Sequence, residues 1–368
     1  MAVSPSISES LVERLVRPDV LAMHTYAVQD GRGMFKMDAM ENPHRLPLHL
    51  QEQLGQRLGA LAFNRYPGER IKELRDALAA HAQIPPSFGI MLGNGSDELI
   101  ALLALACDVP GACILAPEPG FVMYGLNAQL QGLKFVGVPL NADFELDEGA
   151  MLGAVALHRP SIIYLAYPNN PTANLWNEGV IDKIIAAAPG LVVIDEAYQP
   201  FAGTSFMGRI ARYEHVLLMR TMSKFGLAGV RNGYLVGPQA LVGEIDKVRP
   251  PYNISVLNAE CGLFALEHAE VFAAQASDIV AQRERLLSDL RGIAGLQVYP
   301  SDANMILLRV LDGPSPTRAN AVFQRMKDRK VLVKNVSTMH PLLSNCLRLT
   351  VGTAEENSAM LAALKESL

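Results

Sequence analysis

Short apolar segments recur through the middle of the chain. They begin at Ala112, Leu133, Ser161, Leu191, Val216 and Tyr234. Runs this short with little polar alternation are typical of buried strands. Helical segments lie between several of them, for example DELIALLALAC after Ser96 and NEGVIDKIIAAA after Trp176. Strands that alternate with helices predict a largely parallel sheet covered by helices on both faces.

Beyond this region the pattern becomes helical. Helix-forming residues run from Val256 to Arg291, and only Gly262 interrupts them. This predicts one long or once-bent helix that leaves the main sheet.

Strands and helices then alternate again, and a Thr353-x-x-Glu356 capping box opens the last helix. We therefore predict an α/β protein with a large domain over residues 46–260, whose mostly parallel mixed sheet is flanked by helices. Residues 1–45 and 261–368 form a smaller α/β domain that includes an N-terminal arm.

The length and composition of the chain agree with two domains and limit the possible partners. A chain of 368 residues favours about two domains. The charged share is 19%, below the usual 25% or so, which leaves apolar surface for a subunit interface. The net charge of −5 provides no basic field to hold a polyanion, so we expect no nucleic-acid partner.

The cysteines and the apolar runs indicate a cytoplasmic protein. The four cysteines form no C-x-x-C pair, so we expect neither a metal site nor a disulfide framework. The first residues lack the pattern of a signal peptide. The longest apolar run, Leu99 to Cys107, is far below the roughly 18 residues of a membrane span, so no membrane association is expected.

Polar residues that carry chemistry follow several predicted strands, where ligands of such sheets collect. Lys224 is placed where its amine can react with an aldehyde cofactor. Asp195 ends one strand and can hold a cationic ring nitrogen, and Tyr198 can reach a phenolate oxygen. Taken singly, Lys224 would be a solvated surface charge, Asp195 a helix cap or turn former, and Asn170 a turn residue.

A helix start supplies a further candidate. Gly93-Asn94-Gly95-Ser96-Asp97-Glu98 leads into an apolar helix, and free N–H groups at such a start can bind phosphate. The alternative is an ordinary N-cap with acidic first-turn residues. Arg231 and Phe121 by themselves are a surface cation and a core aromatic.

Together these residues resemble the fold-type-I pyridoxal-phosphate-dependent aminotransferases, and within them the branch that acts on histidinol phosphate. The resemblance covers nearly the whole chain. It is carried by MDAMENP from Met37, NRYP from Asn64, GNGSDELI, PNNPT, VVIDEAY, TMSK, LAGVRNGY, DAN from Asp302 and CLRLTVGT.

The resemblance implies a role for each cofactor residue. Lys224 would bind pyridoxal phosphate and then act as general base and acid. Asp195 would keep the ring nitrogen protonated, Asn170 and Tyr198 would hydrogen-bond the ring oxygen, and Phe121 would stack on the ring. The residues expected around the cofactor phosphate are Gly95, Ser96, Asp97, Ser223, Arg231 and, from the neighbouring subunit of a homodimer, Tyr66.

The same resemblance implies the substrates. Arg348 would bind the phosphate of L-histidinol phosphate in one half-reaction and 2-oxoglutarate in the other, with Lys334 and Tyr26 as further donors. The products would be imidazole-acetol phosphate and L-glutamate, in histidine biosynthesis.

The sequence departs from the family pattern at four places. Lys224 and Arg231 are separated by six residues, one fewer than usual, and we expect Gly226 and Gly229 to let a loop absorb the shift. Ala173 stands where the family usually has a glycine. Because alanine disfavours positive φ, we expect no positive φ at this position. Gly120 stands where threonine is common. Lys334 stands where arginine is common, and a lysine offers a single ammonium charge where the arginine would offer two parallel N–H donors.

Other functions remain open at this stage. An aromatic-amino-acid aminotransferase or a phosphoamino-acid decarboxylase of the same fold would share most of these motifs. A non-catalytic regulator that keeps the fold is disfavoured because Lys224 and Asp195 are both present. A dinucleotide-dependent oxidoreductase is disfavoured because no G-x-G-x-x-G follows the first predicted strand.

Overall fold

The computed structural model describes residues 11–23, 29–311 and 317–368. The strands are β1 Phe35–Lys36, β2 Phe88–Gly93, β3 Cys113–Glu118, β4 Lys134–Pro139, β5 Ile162–Ala166, β6 Leu191–Asp195, β7 Val216–Thr221, β8 Gly233–Pro238, β9 Leu296–Val298, β10 Met305–Val310, β11 Val331–Leu332, β12 Lys334–Asn335 and β13 Cys346–Thr350. After a short helix, Pro18–Leu21, the helices are α1 Leu48–Gly59, α2 Arg70–Ala82, α3 Ser96–Ala106, α4 Met123–Gln131, α5 Glu148–His158, α6 Glu178–Ala187, α7 Gln239–Ile245, α8 Val256–Glu267, α9 Ala269–Arg291, α10 Thr317–Asp328 and α11 Ala354–Ser367.

The central sheet has seven strands in the order β2-β8-β7-β6-β5-β3-β4. Strands β4, β3, β5, β6 and β7 run parallel, whereas β8 is antiparallel to both β7 and β2. This confirms the predicted mostly parallel mixed sheet. The pattern analysis did not find β2, FGIMLG, because its two glycines weaken the strand signal.

A second sheet forms from the last third of the chain. Its antiparallel order is β12-β13-β10-β9, and nearby β11 pairs with β1 in a parallel two-stranded sheet. The segment VLVKNV from Val331, whose apolar pattern predicts one strand, is therefore divided between two sheets. The β1–β11 pairing ties the N-terminal segment to this part of the protein, while the predicted boundaries near residues 46 and 260 stay a prediction.

The predicted long helix is two helices, α8 and α9, which meet at His268. The interruption is therefore not at Gly262, which lies buried inside α8. A Cβ at Gly262 would lie 2.8 Å from Asn232 Nδ2 and 2.9 Å from Leu74 Cδ1. This glycine allows close packing of α8 and does not bend it.

The predicted capping box is present at the start of α11. Thr353 Oγ1 accepts a hydrogen bond from the Glu356 N–H at 3.2 Å, and Glu356 Oε2 accepts one from the Thr353 N–H at 2.8 Å. Within the described ranges, no helix has both the length and the apolar character needed to cross a bilayer.

Two helical glycines provide a matched test of the packing at α8. Gly262→Ala should lower the free energy of unfolding by about 1–2 kcal/mol, because Asn232 is held by a hydrogen bond to the Asn258 carbonyl and cannot easily move aside. Gly243→Ala in α7 has open space around its new Cβ and should be neutral or stabilising by up to about 1 kcal/mol. Urea unfolding at one protein concentration measures both, and equal effects at the two positions would contradict the packing account.

Candidate active site

The ends of β5, β6 and β7 border one cavity of about 350 Å³. Parallel strands deliver their carboxyl ends to the same edge of a sheet, so residues far apart in sequence meet there. Nine of the sequence-predicted residues line this cavity: Ser96, Asp97, Phe121, Asn170, Asp195, Tyr198, Ser223, Lys224 and Arg231.

Asp195 lies at the base of the cavity and is 4% exposed. Its Oδ2 accepts a hydrogen bond from the Tyr124 hydroxyl at 2.7 Å, and its Oδ1 accepts one from the Ala197 N–H at 3.0 Å. Burial raises the pKa of Asp195 to about 6, although both hydrogen bonds oppose that rise. The carboxylate is therefore placed to stabilise a cation that enters the cavity.

Tyr124 is a functional residue that sequence reasoning missed. Besides its hydrogen bond to Asp195, its ring stacks on Tyr164 with centroids 4.3 Å apart, and it borders the cavity. Burial raises the pKa of Tyr124 well above its ordinary value, so its hydroxyl keeps the proton that it donates. The available signal was its position three residues after Phe121, which places both side chains on one side of a helix start.

Lys224 lies in the turn Ser223–Leu227 shortly after β7, and the backbone of this turn leaves helical geometry at Gly226. Its Nζ donates to the Ala39 carbonyl at 3.1 Å and lies 5.8 Å from the centre of the Tyr198 ring. Burial, reinforced by Arg348, lowers the pKa of Lys224 to about 8. A larger share of this amine is neutral near neutral pH than for an exposed lysine, and a neutral amine is a nucleophile.

The one-residue-shorter connection to Arg231 is accommodated in the backbone. Gly226 has φ of 135°, as the sequence predicted for a loop that absorbs the shift, whereas Gly229 needs no positive φ. Arg231 itself has φ of 60°, and its Nη1 lies 3.3 Å from Ser223 Oγ.

The start of α3 closes the same end of the cavity. Gly95 precedes it with φ of 81°, and a Cβ there would lie 2.6 Å from Arg231 Nη2. Arg231 Nη2 also lies 3.5 Å from Asp97 Oδ2. The N–H groups of a first helical turn have no partner within the helix, so this corner offers donors and a cation to an anion.

A buried ion pair lies behind Asp195. Glu196 is 1% exposed and accepts hydrogen bonds from Arg220 at 2.8 Å and from the Phe206 N–H at 2.6 Å. Arg220 precedes the Lys224 turn along β7, so the pair links the strand that carries Asp195 to the strand that leads to Lys224.

The turn after β5 corrects one expectation. Ala173 has φ of 69°, so the prediction that an alanine at this position excludes positive φ is wrong. Its N–H donates to the Asn169 carbonyl at 2.9 Å, and its carbonyl accepts from the Asp302 N–H at 2.7 Å. These hydrogen bonds stabilise the left-handed conformation despite the cost of a Cβ there.

Arg348 reaches this turn from β13. Its Nη1 donates to Asn170 Oδ1 at 2.6 Å and its Nη2 to the Asp38 carbonyl at 2.8 Å. Lys334 is its register partner on β12, and directly opposed residues of antiparallel strands project from the same face. Tyr26 lies outside the described residues.

Tyr66 lies on the surface rather than in the cavity. It is 74% exposed and stacks on Tyr252 with ring centroids 4.2 Å apart. Leu48 and Phe63, in the same part of the sequence, are 70% and 61% exposed.

Comparison with known proteins gives one consistent family. Residues 36–364 match the family described as aminotransferase class I and II. A histidinol-phosphate aminotransferase of Polaromonas naphthalenivorans is 66% identical over 371 residues, 100% of both chains. One of Methylibium petroleiphilum is 65% identical over 96% of this chain and 94% of its own.

Solved structures agree with this family. Histidinol-phosphate aminotransferase from Sinorhizobium meliloti, in complex with pyridoxal-5'-phosphate, has a TM-score of 0.84 and 25% identity over 96% of this chain and 97% of its own. L-threonine-O-3-phosphate decarboxylase from Porphyromonas gingivalis has a TM-score of 0.76 at 20% identity, over 90% of this chain and 98% of its own, which shows a shared fold.

The buried carboxylate predicts a pH-dependent stability. Above pH 6 the folded protein must hold Asp195 ionised, whereas below it the folded state takes up a proton and this cost disappears. Ligand-free Asp195→Asn should therefore exceed wild type in free energy of unfolding by about 1–3 kcal/mol at pH 8, and by about 1 kcal/mol less at pH 5. Urea unfolding of both proteins at the two pH values measures the difference, and a difference that is independent of pH would contradict a buried charge at this position.

Proposed function

Because the chain belongs to the class I and II aminotransferase family, we propose that it transfers the amino group of L-histidinol phosphate to 2-oxoglutarate. The products are imidazole-acetol phosphate and L-glutamate, in histidine biosynthesis. The observation that carries the proposal is the 66% identity, over the full length of both chains, to a relative named for this reaction. A cytoplasmic location is part of the proposal and is supported by the sequence features described above.

Pyridoxal phosphate is the cofactor, and the cavity fits it. A buried carboxylate, an amine with a lowered pKa and a helix start that can bind an anion all line the cavity. When bound, the cofactor supplies a reactive aldehyde carbon and a ring that accepts electrons.

Four side chains contact the ring in this proposal, and Tyr124 supports one of them. Asp195 keeps the ring nitrogen protonated through a charge-assisted hydrogen bond, and Tyr124 holds the Asp195 carboxylate in place. Asn170 and Tyr198 donate to the ring oxygen. Phe121 covers one face of the ring.

Lys224 carries the proton in this reaction. Its Nζ would hold the cofactor in the resting enzyme. Once the incoming substrate amine has displaced it, the free Nζ would take the proton from the substrate Cα and deliver a proton on the cofactor side. The pKa of about 8 supports this role, because a base works best when its pKa is close to the working pH.

The phosphate of the cofactor binds at the start of α3. Gly95, Ser96 and Asp97 offer first-turn N–H groups, while Ser223 and Arg231 add a hydroxyl and a charge. The absence of a side chain at Gly95 leaves Arg231 the space to approach.

The substrate anion binds at Arg348 and Lys334, with Tyr26 as a further donor. A phosphate monoester carries close to two negative charges at neutral pH, since its second pKa is about 6, and the two cations on adjacent strands match it. The carboxylates of 2-oxoglutarate use the same arginine in the second half-reaction.

The two positive charges of Arg348 and Lys334 allow a test of which amino donor the enzyme uses. Wild type should prefer L-histidinol phosphate to L-phenylalanine as amino donor. Lys334→Met keeps much of the stem and removes the charge, so it should lower kcat/KM for histidinol phosphate by about 1–3 kcal/mol while phenylalanine changes much less. Single-turnover and steady-state rates with the two donors measure this.

Arg348→Met is the control, because it should weaken both donors and 2-oxoglutarate alike. A wild type that prefers phenylalanine, or a Lys334→Met enzyme that is unchanged with histidinol phosphate, would favour an aromatic-amino-acid aminotransferase instead.

We further propose a homodimer with shared active sites. Leu48, Phe63 and Tyr66 lie close in sequence and are each more than 60% exposed, and exposed apolar side chains mark an interface where they form one patch. Tyr66 then reaches the cofactor phosphate of the neighbouring subunit, which explains why it lies away from the cavity of its own chain.

Mixed dimers test this sharing. A Tyr66→Phe subunit combined with a Lys224→Ala subunit should yield one site that is defective in both residues and one that is intact. Activity per intact Lys224 should therefore be higher in the heterodimer than in the Tyr66→Phe homodimer, as measured after separation of differently tagged heterodimers. Isolated heterodimers without recovered activity would mean that each site is built from one chain.

The other functions have less support. The likeness to a phosphothreonine decarboxylase, at 20% identity, concerns the fold alone. Lys224 and Asp195 line the same cavity. A catalytic site needs both residues, whereas a non-catalytic regulator does not.

A further inference from the structure

The acidic groups at the cavity are not all used by the cofactor. Among the residues that line it, the acids are Asp97, Asp195 and Glu41. Asp97 lies by Arg231 at the phosphate end, and Asp195 lies at the base. Glu41, from the N-terminal segment, has no role in the reaction described above.

Glu41 ends a short segment that runs along the cavity. The Asp38 carbonyl accepts from Arg348 Nη2 at 2.8 Å, and the Ala39 carbonyl accepts from Lys224 Nζ at 3.1 Å. The segment therefore passes first the cation for the substrate anion, then the amine that acts at the substrate Cα, and then reaches Glu41.

The backbone at Met40 sets this path. Met40 has φ of 52° and is buried, an uncommon conformation for a large side chain. Its N–H donates to Thr350 Oγ1 at 3.0 Å, and its carbonyl accepts from Asn304 Nδ2 at 2.9 Å. Such conformations persist where surrounding groups hold them, and they cluster at functional sites.

We propose that Glu41 is a specificity-determining residue that accepts a hydrogen bond from the imidazole N–H of the substrate. The inference rests on the proposed function. In histidinol phosphate the phosphate and the imidazole lie on opposite sides of the Cα, which is the order Arg348, Lys224, Glu41 along the segment. Two residues of chain span at most about 7 Å, which is comparable to the distance from the Cα to the far side of the ring.

An imidazole suits this carboxylate because it donates N–H hydrogen bonds and gains a positive charge below a pKa of about 6.5. The charged groups that face Glu41 are Lys36, whose Nζ lies 2.5 Å from Glu41 Oε2 and 3.4 Å from Asp38, and Lys224 across the cavity. Lys36 competes for the carboxylate at the half-exposed edge of the site.

The test compares two amino donors that differ only in the ring. L-Histidinol phosphate and L-phenylalaninol phosphate share the amine and the phosphate, but the second has no ring N–H. Glu41→Gln should lower the preference for histidinol phosphate, expressed as the ratio of the two kcat/KM values, by about ten-fold, mainly through KM. Lys36→Met, the matched control, frees the carboxylate and should keep or raise that ratio.

The pH dependence of this kcat/KM ratio gives a second measure, which a purely structural effect of the substitution would not change. In wild type the ratio should rise as the pH falls from 8 to 6, because the imidazole becomes cationic, and in Glu41→Gln this rise should disappear. The dissociation constant of 2-oxoglutarate, which has no ring, should be the same in both enzymes.

The outcomes separate this inference from the proposed function. A wild type that uses histidinol phosphate while Glu41→Gln keeps both the ratio and its pH dependence overturns the role of Glu41 alone. A wild type that turns over neither phosphate ester overturns the proposed function and this inference with it.

Discussion

The Asp195 carboxylate is buried at the end of β6, where its charge costs free energy that Tyr124 and the Ala197 N–H offset only in part. Much of the surrounding structure serves this one group. The Glu196–Arg220 pair fixes the strand ends behind it, and the stacked tyrosines exclude water beside it. A cation at this position would remove the cost, and in the proposed function that cation is the protonated ring nitrogen of pyridoxal phosphate.

Lys224 presents the opposite case in the same cavity. Burial disfavours its positive charge, so the amine is closer to the neutral form that attacks an aldehyde. The two groups come from neighbouring strands, whereas Arg348 and the segment through Met40 come from the other part of the chain. In the proposed function, cofactor chemistry thus depends on groups of the central sheet, and substrate choice depends on groups that the second sheet and the N-terminal segment bring to the cavity.

Local sequence was enough to predict most of the central sheet and nine of the residues that line the cavity. Continuous apolar runs predicted the central strands, and residues just beyond those runs predicted the cavity. The failures have specific causes: two glycines obscured β2, the helix ends at His268 without a breaker, and hydrogen bonds around Ala173 stabilise a φ that its residue type disfavours. Tyr124 had only a weak local signal, its spacing of three residues from Phe121, and Glu41 had none, because only the packing of distant segments brings it to the cavity.

The central claim is that Lys224 is the residue to which pyridoxal phosphate is attached in this cavity. Borohydride reduction of the purified holoenzyme, followed by proteolysis and mass mapping, tests it most directly. The account predicts a pyridoxyl group on the peptide that contains Lys224, and on no other lysine. A label on a different lysine, with Lys224 unmodified in the active enzyme, would contradict it.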